Sequence, residues 1–360
     1  MSRVSRFLVI LFLGGLLGAG AFGVSGLGQS PTTTTAPLVV EATTTSSTTT
    51  SSTTTTSTST TTTTTTVPKG SVLIHGTGDV ALDPVYIPAL ASNGYDHAWS
   101  GLNGLFLADD ITVINLECVP SDLGAALDKT FTFRCPTEGL PSMAANGIEV
   151  ANMGNNHSGD FGKEALVDGR QQLIEAGVAP VGAGKDAYEA GEPALFEVNG
   201  WKIAVIGFGG VAPSGSWYAT TSSPGMRSGD DTPSMVRAVE AASAVADIVV
   251  VTIHWGYELD TTPRIEDIER AEAMIAAGAD VIFGHHQHRL NPLEYIDGKP
   301  VFWGLGNFVW PHNSVPSATT AVARVVVNPD GTLDACMIDA FIATHGRPEI
   351  TGEAECGPPV

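Results

Sequence analysis

From Ser71 onward, short apolar runs of strand length alternate with amphipathic stretches of helical period, and few architectures accept that alternation. Strands are expected over Val72–His75, Ile111–Asn115, Ile148–Asn152, Ile203–Gly207, Ile248–His254 and Val281–Gly284. Amphipathic helices are expected near Lys163–Ala176, Pro233–Ala246 and Ile265–Ala277. Strand, helix and strand in succession make a βαβ unit, so the fold class is α/β with a mainly parallel sheet core. Asn199-Gly200 stands between two apolar runs and is a strong hairpin signal, which Asp297-Gly298 and Asp330-Gly331 repeat. The carboxyl third therefore turns antiparallel, and the sheets are mixed.

Chemistry-bearing residues gather where these runs end. Asp79 follows the first strand, in Gly-Thr-Gly-Asp, and Glu117 follows the second, in Ile-Asn-Leu-Glu. Asn155, Asn156 and His157 follow the third, with Asp160 three residues on. His254 ends a long apolar strand, and His285, His286 and His288 end another in Gly-His-His-Gln-His. In parallel sheets, residues just past the carboxyl ends of strands converge on one crevice. Five strand ends would then deliver carboxylate, amide and imidazole to the same place.

Imidazole and carboxylate suit manganese, zinc or iron, and no thiol is among them to select a softer ion. A carboxylate can bridge two such ions in a hydrolytic centre, where they activate water and clamp attacking and leaving oxygens. Glu117 is expected to bridge, with Asp79 and His288 completing one site and Asn156, His254 and His286 the other. His157 is the candidate catalytic group that is not a ligand. Asp160 would orient its ring and raise its pKa, unless it merely caps the helix starting near Phe161. Glu258 is placed either as support behind His254 or as a solvated loop carboxylate. Asn307, in a glycine-flanked turn, is expected to be structural. His75, His97, His312 and His345 have no such context. Taken singly, an aspartate after glycine is usually a turn residue; the order of the whole set gives it meaning.

That order is Gly-Asp, Asn-Leu-Glu, Asn-Asn-His-x-x-Asp, His-Trp-Gly, then Gly-His-His-x-His followed by Gly-Leu-Gly-Asn-Phe. It resembles the CapA family of poly-gamma-glutamate capsule biosynthesis proteins from about Ser71 to Phe308. The resemblance implies the fold of calcineurin-like metallophosphoesterases, a four-layer α/β/β/α sandwich with mixed sheets. It also implies a dinuclear metallohydrolase-type site and a role in capsule polymer synthesis or processing, on a phosphoester or a gamma-glutamyl bond. The alternative is a non-catalytic metal-binding subunit of a capsule polymerisation or export complex embedded in the membrane. The chain departs from the phosphoesterase pattern at Ala81, where a histidine is usual, and at Glu117, where an aspartate is usual, which leaves the first site one ligand poorer. A transporter's binding protein would share the α/β architecture without needing five ligand-bearing strand ends.

The remaining sequence sets context. Arg3 and Arg6 precede an apolar run from Phe7 to Val24, so residues 1–30 read as a signal peptide or an N-terminal membrane anchor. No cysteine precedes Cys118, so a lipid-modified anchor is not expected. Residues 31–69 are nearly all threonine and serine, too poor in apolar surface to offset ordering entropy, and read as a disordered stalk. Residues 70–360 are the expected folded domain. These features together predict an extracytoplasmic, cell-surface protein, secreted or anchored. Of four cysteines, the favoured pairs are Cys118–Cys135 and Cys336–Cys356, each closing a short loop. A formal net charge of −21 argues against nucleic acid as a partner. An anionic extracellular polymer or its precursor is the expected partner, and bound cations would have to draw it in.

Overall fold

A computed structural model describes residues 68–352. The strands are β1 (Val72–Val80), β2 (Ile111–Leu116), β3 (Val150–Asn152), β4 (Ala179–Val181), β5 (Ala183–Gly184), β6 (Ala194–Val198), β7 (Trp201–Gly209) and β8 (Gly225–Met226). They continue with β9 (Ile248–His254), β10 (Val281–His285), β11 (Leu293–Ile296), β12 (Lys299–Phe302), β13 (Asn307–Val309), β14 (Thr319–Val327), β15 (Leu333–Thr344) and β16 (Arg347–Ile350). The helices are α1 (Pro88–Asn93), α2 (Pro141–Ala145), α3 (Lys163–Glu175), α4 (Thr232–Ser243), α5 (Ile265–Ala276) and α6 (Val315–Ala318).

Two large sheets result. One runs β16-β15-β14-β1-β2-β3-β4, with β13 also paired to β1; the other runs β11-β12-β10-β9-β7-β6. Each is parallel at its centre and antiparallel toward at least one edge, as β1–β2–β3–β4 and β7–β9–β10–β12 show against β14–β15–β16 and the two hairpins. Both hairpins turn on the expected dipeptides. Asn199 and Gly200 (φ 48° and 82°) join β6 to β7, and Asp297 and Gly298 (φ 47° and 74°) join β11 to β12. Positive φ at both central positions is what a two-residue hairpin of matching twist requires.

Three apolar clusters set the layers. Ile74, Val113 and Val150 of the first sheet pack against Val205, Val250 and Phe283 of the second, forming the seam between sheets. The outer face of the first sheet is covered by Leu90, Met143 and Leu173 of α1, α2 and α3. Met235, Val239 and Met274 of α4 and α5 cover the outer face of the second. Strands buried on both faces need mostly apolar side chains, so β2 and β9 are apolar apart from Thr112, Asn115, Thr252 and His254, and every residue of both is buried. The expected four-layer mixed α/β/β/α sandwich is therefore the fold observed.

Cys118 and Cys135 are disulfide-bonded, with Cα atoms 5.4 Å apart. Cys356, the favoured partner of Cys336, lies outside the described residues. So do the apolar run Phe7–Val24 and nearly all of the threonine-serine segment. The expected cell-surface placement, secreted or held by the N-terminal segment, is corrected. Among the described residues no helix is long and apolar enough to cross a membrane, and an anchoring segment is not supported.

Candidate metal centre

Strand register lines up the site. Asp79 of β1 stands opposite Asn115 of β2 and Asn307 of β13, and Asn115 stands opposite Asn152 of β3. In the second sheet His254 of β9 stands opposite His285 of β10. Parallel pairing thus puts one polar row on each sheet at the carboxyl end of its strands, the place where an open α/β sheet binds ligands. Asp79 lies on β1 rather than after it, because β1 continues five residues past His75, to Val80, with a register shift between Gly76 and Asp79.

Side-chain amides fix the orientation of this row. Gly154 N–H donates to Asn152 Oδ1 (3.0 Å), so Asn152 Nδ2 faces Asn115 Oδ1 (3.2 Å). Asn115 Nδ2 then points inward, 2.8 Å from Asp79 Oδ1, 3.2 Å from Glu117 Oε1 and 3.1 Å from His254 Nδ1. A second relay holds His288. Asn307 Nδ2 donates to Ser317 O (2.9 Å), which leaves Asn307 Oδ1 to accept from His288 Nδ1 at 2.8 Å. In the neutral ring the proton therefore sits on Nδ1, and Nε2, 3.8 Å from Glu117 Oε2, is the nitrogen that carries the second proton or, once that is lost, a free lone pair.

Two groups of ligand atoms follow, each with all members within 4.8 Å of one another: Asp79, Glu117 and His288, and Glu117, His254 and His286. Glu117 belongs to both. Asn156 joins the second group, its Oδ1 2.9 Å from His254 Nε2. All six residues expected as ligands thus converge. Asp79 Oδ2, Glu117 Oε2, His285 Nδ1 and His286 Nδ1 are buried with no hydrogen-bond partner, although His288 Nδ1 lies 3.0 Å from Asp79 Oδ2 out of bonding alignment. Such atoms are costly to bury unsatisfied. Two carboxylates and three imidazoles around that gap fit divalent cations.

The protonation pattern agrees. Burial, and then the Asp79 charge, push the Glu117 carboxyl well above its ordinary value. Burial would lower His288, but the carboxylates of Glu117 and Asp79 outweigh it and raise the ring to about 9. Burial opposes the ionised form of Asp79, yet His288 holds its carboxyl below the usual range. Burial keeps His254 well below its ordinary value, His285 at about 4 and His286 at about 3. These three imidazoles are thus neutral, the form that binds a metal, whereas His288 has to shed a proton to do so.

His157 and Asp160 sit beside this centre. His157 Nδ1 is 2.7 Å from Asp160 Oδ2, and the ring packs 4.5 Å from Phe133. Asp160 also accepts from Phe133 N–H (2.9 Å) and from the Lys129 ammonium. It caps no helix: the residue preceding α3 is Gly162, with no side-chain cap. The expected upward shift of His157 is corrected, because burial outweighs the Asp160 carboxylate and lowers its pKa, with Lys129 adding to the fall. Glu258 is exposed, yet its charge acts on both Glu117 and His288. Ala81, at the position of the missing histidine, is buried in the apolar cluster under the first sheet.

Sequence reasoning passed over Asn115, Asn152 and Lys129, and also Thr252, whose Oγ1 lies 3.0 Å from His285 Nε2. Asn115 was detectable: it lies two residues before Glu117, and alternate strand residues share a face. Lys129 sits on an irregular segment with no periodicity to reveal it.

Known proteins bear on the same span. Residues 74–312 match the family of the bacterial capsule synthesis protein PGA_cap. The PGA biosynthesis protein CapA of Bacillus subtilis is 30% identical over 71% of this chain and 67% of its own. A probable polyglutamine synthesis accessory protein of Mycobacterium tuberculosis is 32% identical over 56% of each chain, so this chain spans little more than half of that relative. Among solved structures, the NAD nucleotidase of Haemophilus influenzae aligns with 81% of this chain and 54% of its own, at 14% identity and a TM-score of 0.47. With the family match running from β1, through every strand end that carries a candidate ligand, to just past β13, the chain belongs to the bacterial capsule synthesis protein PGA_cap family.

Proposed function

We propose that this protein acts in the synthesis or processing of a poly-gamma-glutamate-type capsule polymer through a dinuclear metal-dependent hydrolase site. The observation that carries the reading is the set of four buried atoms without a hydrogen bond on Asp79, Glu117, His285 and His286, three of these residues belonging to the two groups of ligand atoms within 4.8 Å of one another. Asp79, Glu117 and His288 would hold one divalent ion and Glu117, Asn156, His254 and His286 the other, with manganese, zinc or iron suited to the donors. When bound, such a pair supplies a Lewis acid for the scissile group and an activated water. The chain's own residues do the rest. Glu117 spans both halves and fixes their separation. His157, neutral and donating Nδ1–H to Asp160, presents Nε2 as a proton acceptor at the edge of the centre. Lys129 offsets the Asp160 charge and keeps the pair in place. We assign this chemistry to a domain of residues 70–360.

Purified protein loaded with manganese or zinc is expected to hydrolyse a phosphoester or a gamma-glutamyl substrate, and E117A to abolish turnover. No hydrolysis of either class by the metal-loaded protein would remove the enzymatic reading.

A second reading is favoured by Ala81, which leaves one half of the centre short of a ligand, and by the accessory role in the mycobacterial relative's name. There the ions serve structure or polymer binding within a polymerising complex. If H157A stays folded, keeps its ions and sustains polymer production undiminished while E117A loses ions and production together, the chemistry is dispensable but the ions are not, and this second reading stands.

A further inference from the structure

Metal centres are tuned by the groups behind their ligands, which orient carboxylates and imidazoles and set their basicity. Asn115 and Asn307 already play this part. His285 has been given none. It ends β10 next to the ligand His286, it is 1% exposed, and it belongs to neither group of three ligands. Its ring is anchored at one end, Nε2 lying 3.0 Å from Thr252 Oγ1 on the neighbouring strand β9. The other end, Nδ1, has no hydrogen-bond partner and stands 3.9 Å from Asp79 Oδ1. That oxygen is the one held by Asn115 Nδ2, whereas the other oxygen of Asp79 faces His288.

A buried imidazole anchored at one nitrogen and bare at the other is costly unless the bare end serves something. The only acidic group in ion-pairing range of it among the described residues is Asp79. Topology explains why it can be there. β10 faces β1 across the seam, and a side chain on Gly76 would meet the Phe283 ring at 2.9 Å. Two residues beyond Phe283 along the same strand face comes His285. The second sheet therefore offers an imidazole to Asp79, on the half of the centre where Ala81 offers none from the first sheet.

We propose that His285 is a positioning residue for Asp79, bracing Oδ1 from the opposite sheet so that Oδ2 stays directed at the cation between Asp79, Glu117 and His288. The inference rests on the metal-centre reading above and deepens it. Thr252 is the back of the brace, setting the ring's rotation through Nε2. The effect is confined to one half: the group of Glu117, His254 and His286 does not include Asp79.

The test uses the full chain, titrated with Mn²⁺ alone and read by calorimetry and electron paramagnetic resonance. Wild type is expected to bind two ions, the pair giving a spin-coupled spectrum. H285A is expected to weaken one of the two about 10- to 100-fold, the range found when such supporting groups are lost, and to replace the coupled spectrum with that of an isolated ion. T252V, which keeps the side chain's shape, is expected to move the same ion in the same direction by less, and it remains informative if H285A fails to fold. Equal affinity for both ions in folded H285A or T252V overturns the inference while leaving the metal centre standing. Equal weakening of both ions also overturns it, since that is general loosening of the site. A wild-type protein that binds no Mn²⁺ overturns the metal-centre reading and this inference with it.

Discussion

Glu117 and His288 express the demand of the centre for positive charge. Without a metal, burial and Asp79 push the Glu117 carboxyl upward, while Glu117 and Asp79 draw His288 to about 9 against the effect of burial. The metal-free pocket thus retains protons at the place a cation would take. Ligands must shed protons to bind an ion, so Mn²⁺ uptake at neutral pH is expected to release protons. Calorimetry in buffers of different ionisation heat would measure this, and affinity should climb as pH rises toward about 9; proton-neutral uptake would contradict it. The same groups set opposite limits on metal-free stability. His285 and His286 have folded values of about 4 and about 3, below the ordinary 6.5. The unfolded chain takes protons first, so their contribution is complete above 6.5 and is lost as pH falls through those values. His288 has the reverse sign: its contribution is complete below 6.5 and is lost as pH rises through about 9. Urea midpoints of the metal-free protein should therefore peak near neutrality. H288N should flatten the alkaline limb and leave the acid limb in place; an unchanged alkaline limb would show that His288 is not its cause.

At the scale of elements, the crossing of β1 over β10 fixes the distance between the two polar rows. Gly76 makes it possible, since a Cβ there would lie 2.9 Å from three atoms of the Phe283 ring. G76A is expected to cost about 1–3 kcal/mol by overpacking, and F283L should relieve much of that cost. A double-mutant cycle from urea denaturation checks this; additive effects would mean that the two positions are not in contact. Phe283 and Gly76 also show what the sequence could and could not disclose. The run Ile248–His254 was legible to the residue as β9, because a strand buried on both faces is apolar over most of its length, here interrupted only by Thr252 before the terminal His254. Helices α3, α4 and α5 were legible within a few residues from their one-sided apolar period. The candidate ligands were legible because they fall at or just past the ends of such runs. The three-residue strand β13, however, is held by pairing with β1 and by the Asn307 bonds to Ser317, which are tertiary and leave no local pattern. β4 hid for a different reason: Pro180 argues against a strand, and is tolerated because β4 is an edge. Most of all, no periodicity tells which strand faces which across a seam. That is why His285 read as one histidine of three and Ala81 as a simple loss.

For the whole molecule, charge decides how a polymer could approach. The chain carries 38 acidic against 17 basic side chains, a formal net charge of −21. Two of the cations near the centre are held by carboxylates, Lys129 by Asp160 and Arg264 by Asp267, and Arg289, next to His288, donates to the His288 carbonyl. A polyanion arriving from solution therefore meets repulsion at long range and, on the proposed reading, attraction only at the ions themselves. The two act over different distances, and salt separates them. Raising ionic strength from about 0.01 M to about 0.1 M shortens the screening length from ~30 Å to ~10 Å, which removes most of the distant repulsion. Short contacts to a partly enclosed cation are screened far less. Association of poly-gamma-glutamate with the manganese-loaded protein is thus expected to speed up with added salt over this range, whereas dissociation changes little. Stopped-flow measurement with a labelled oligomer would show it. Proteins that meet polyanions through basic surfaces show the opposite slope. A rate that falls with salt would mean that a local basic patch steers the polymer, and the ions would then not be needed to explain how so acidic a protein engages an acidic chain.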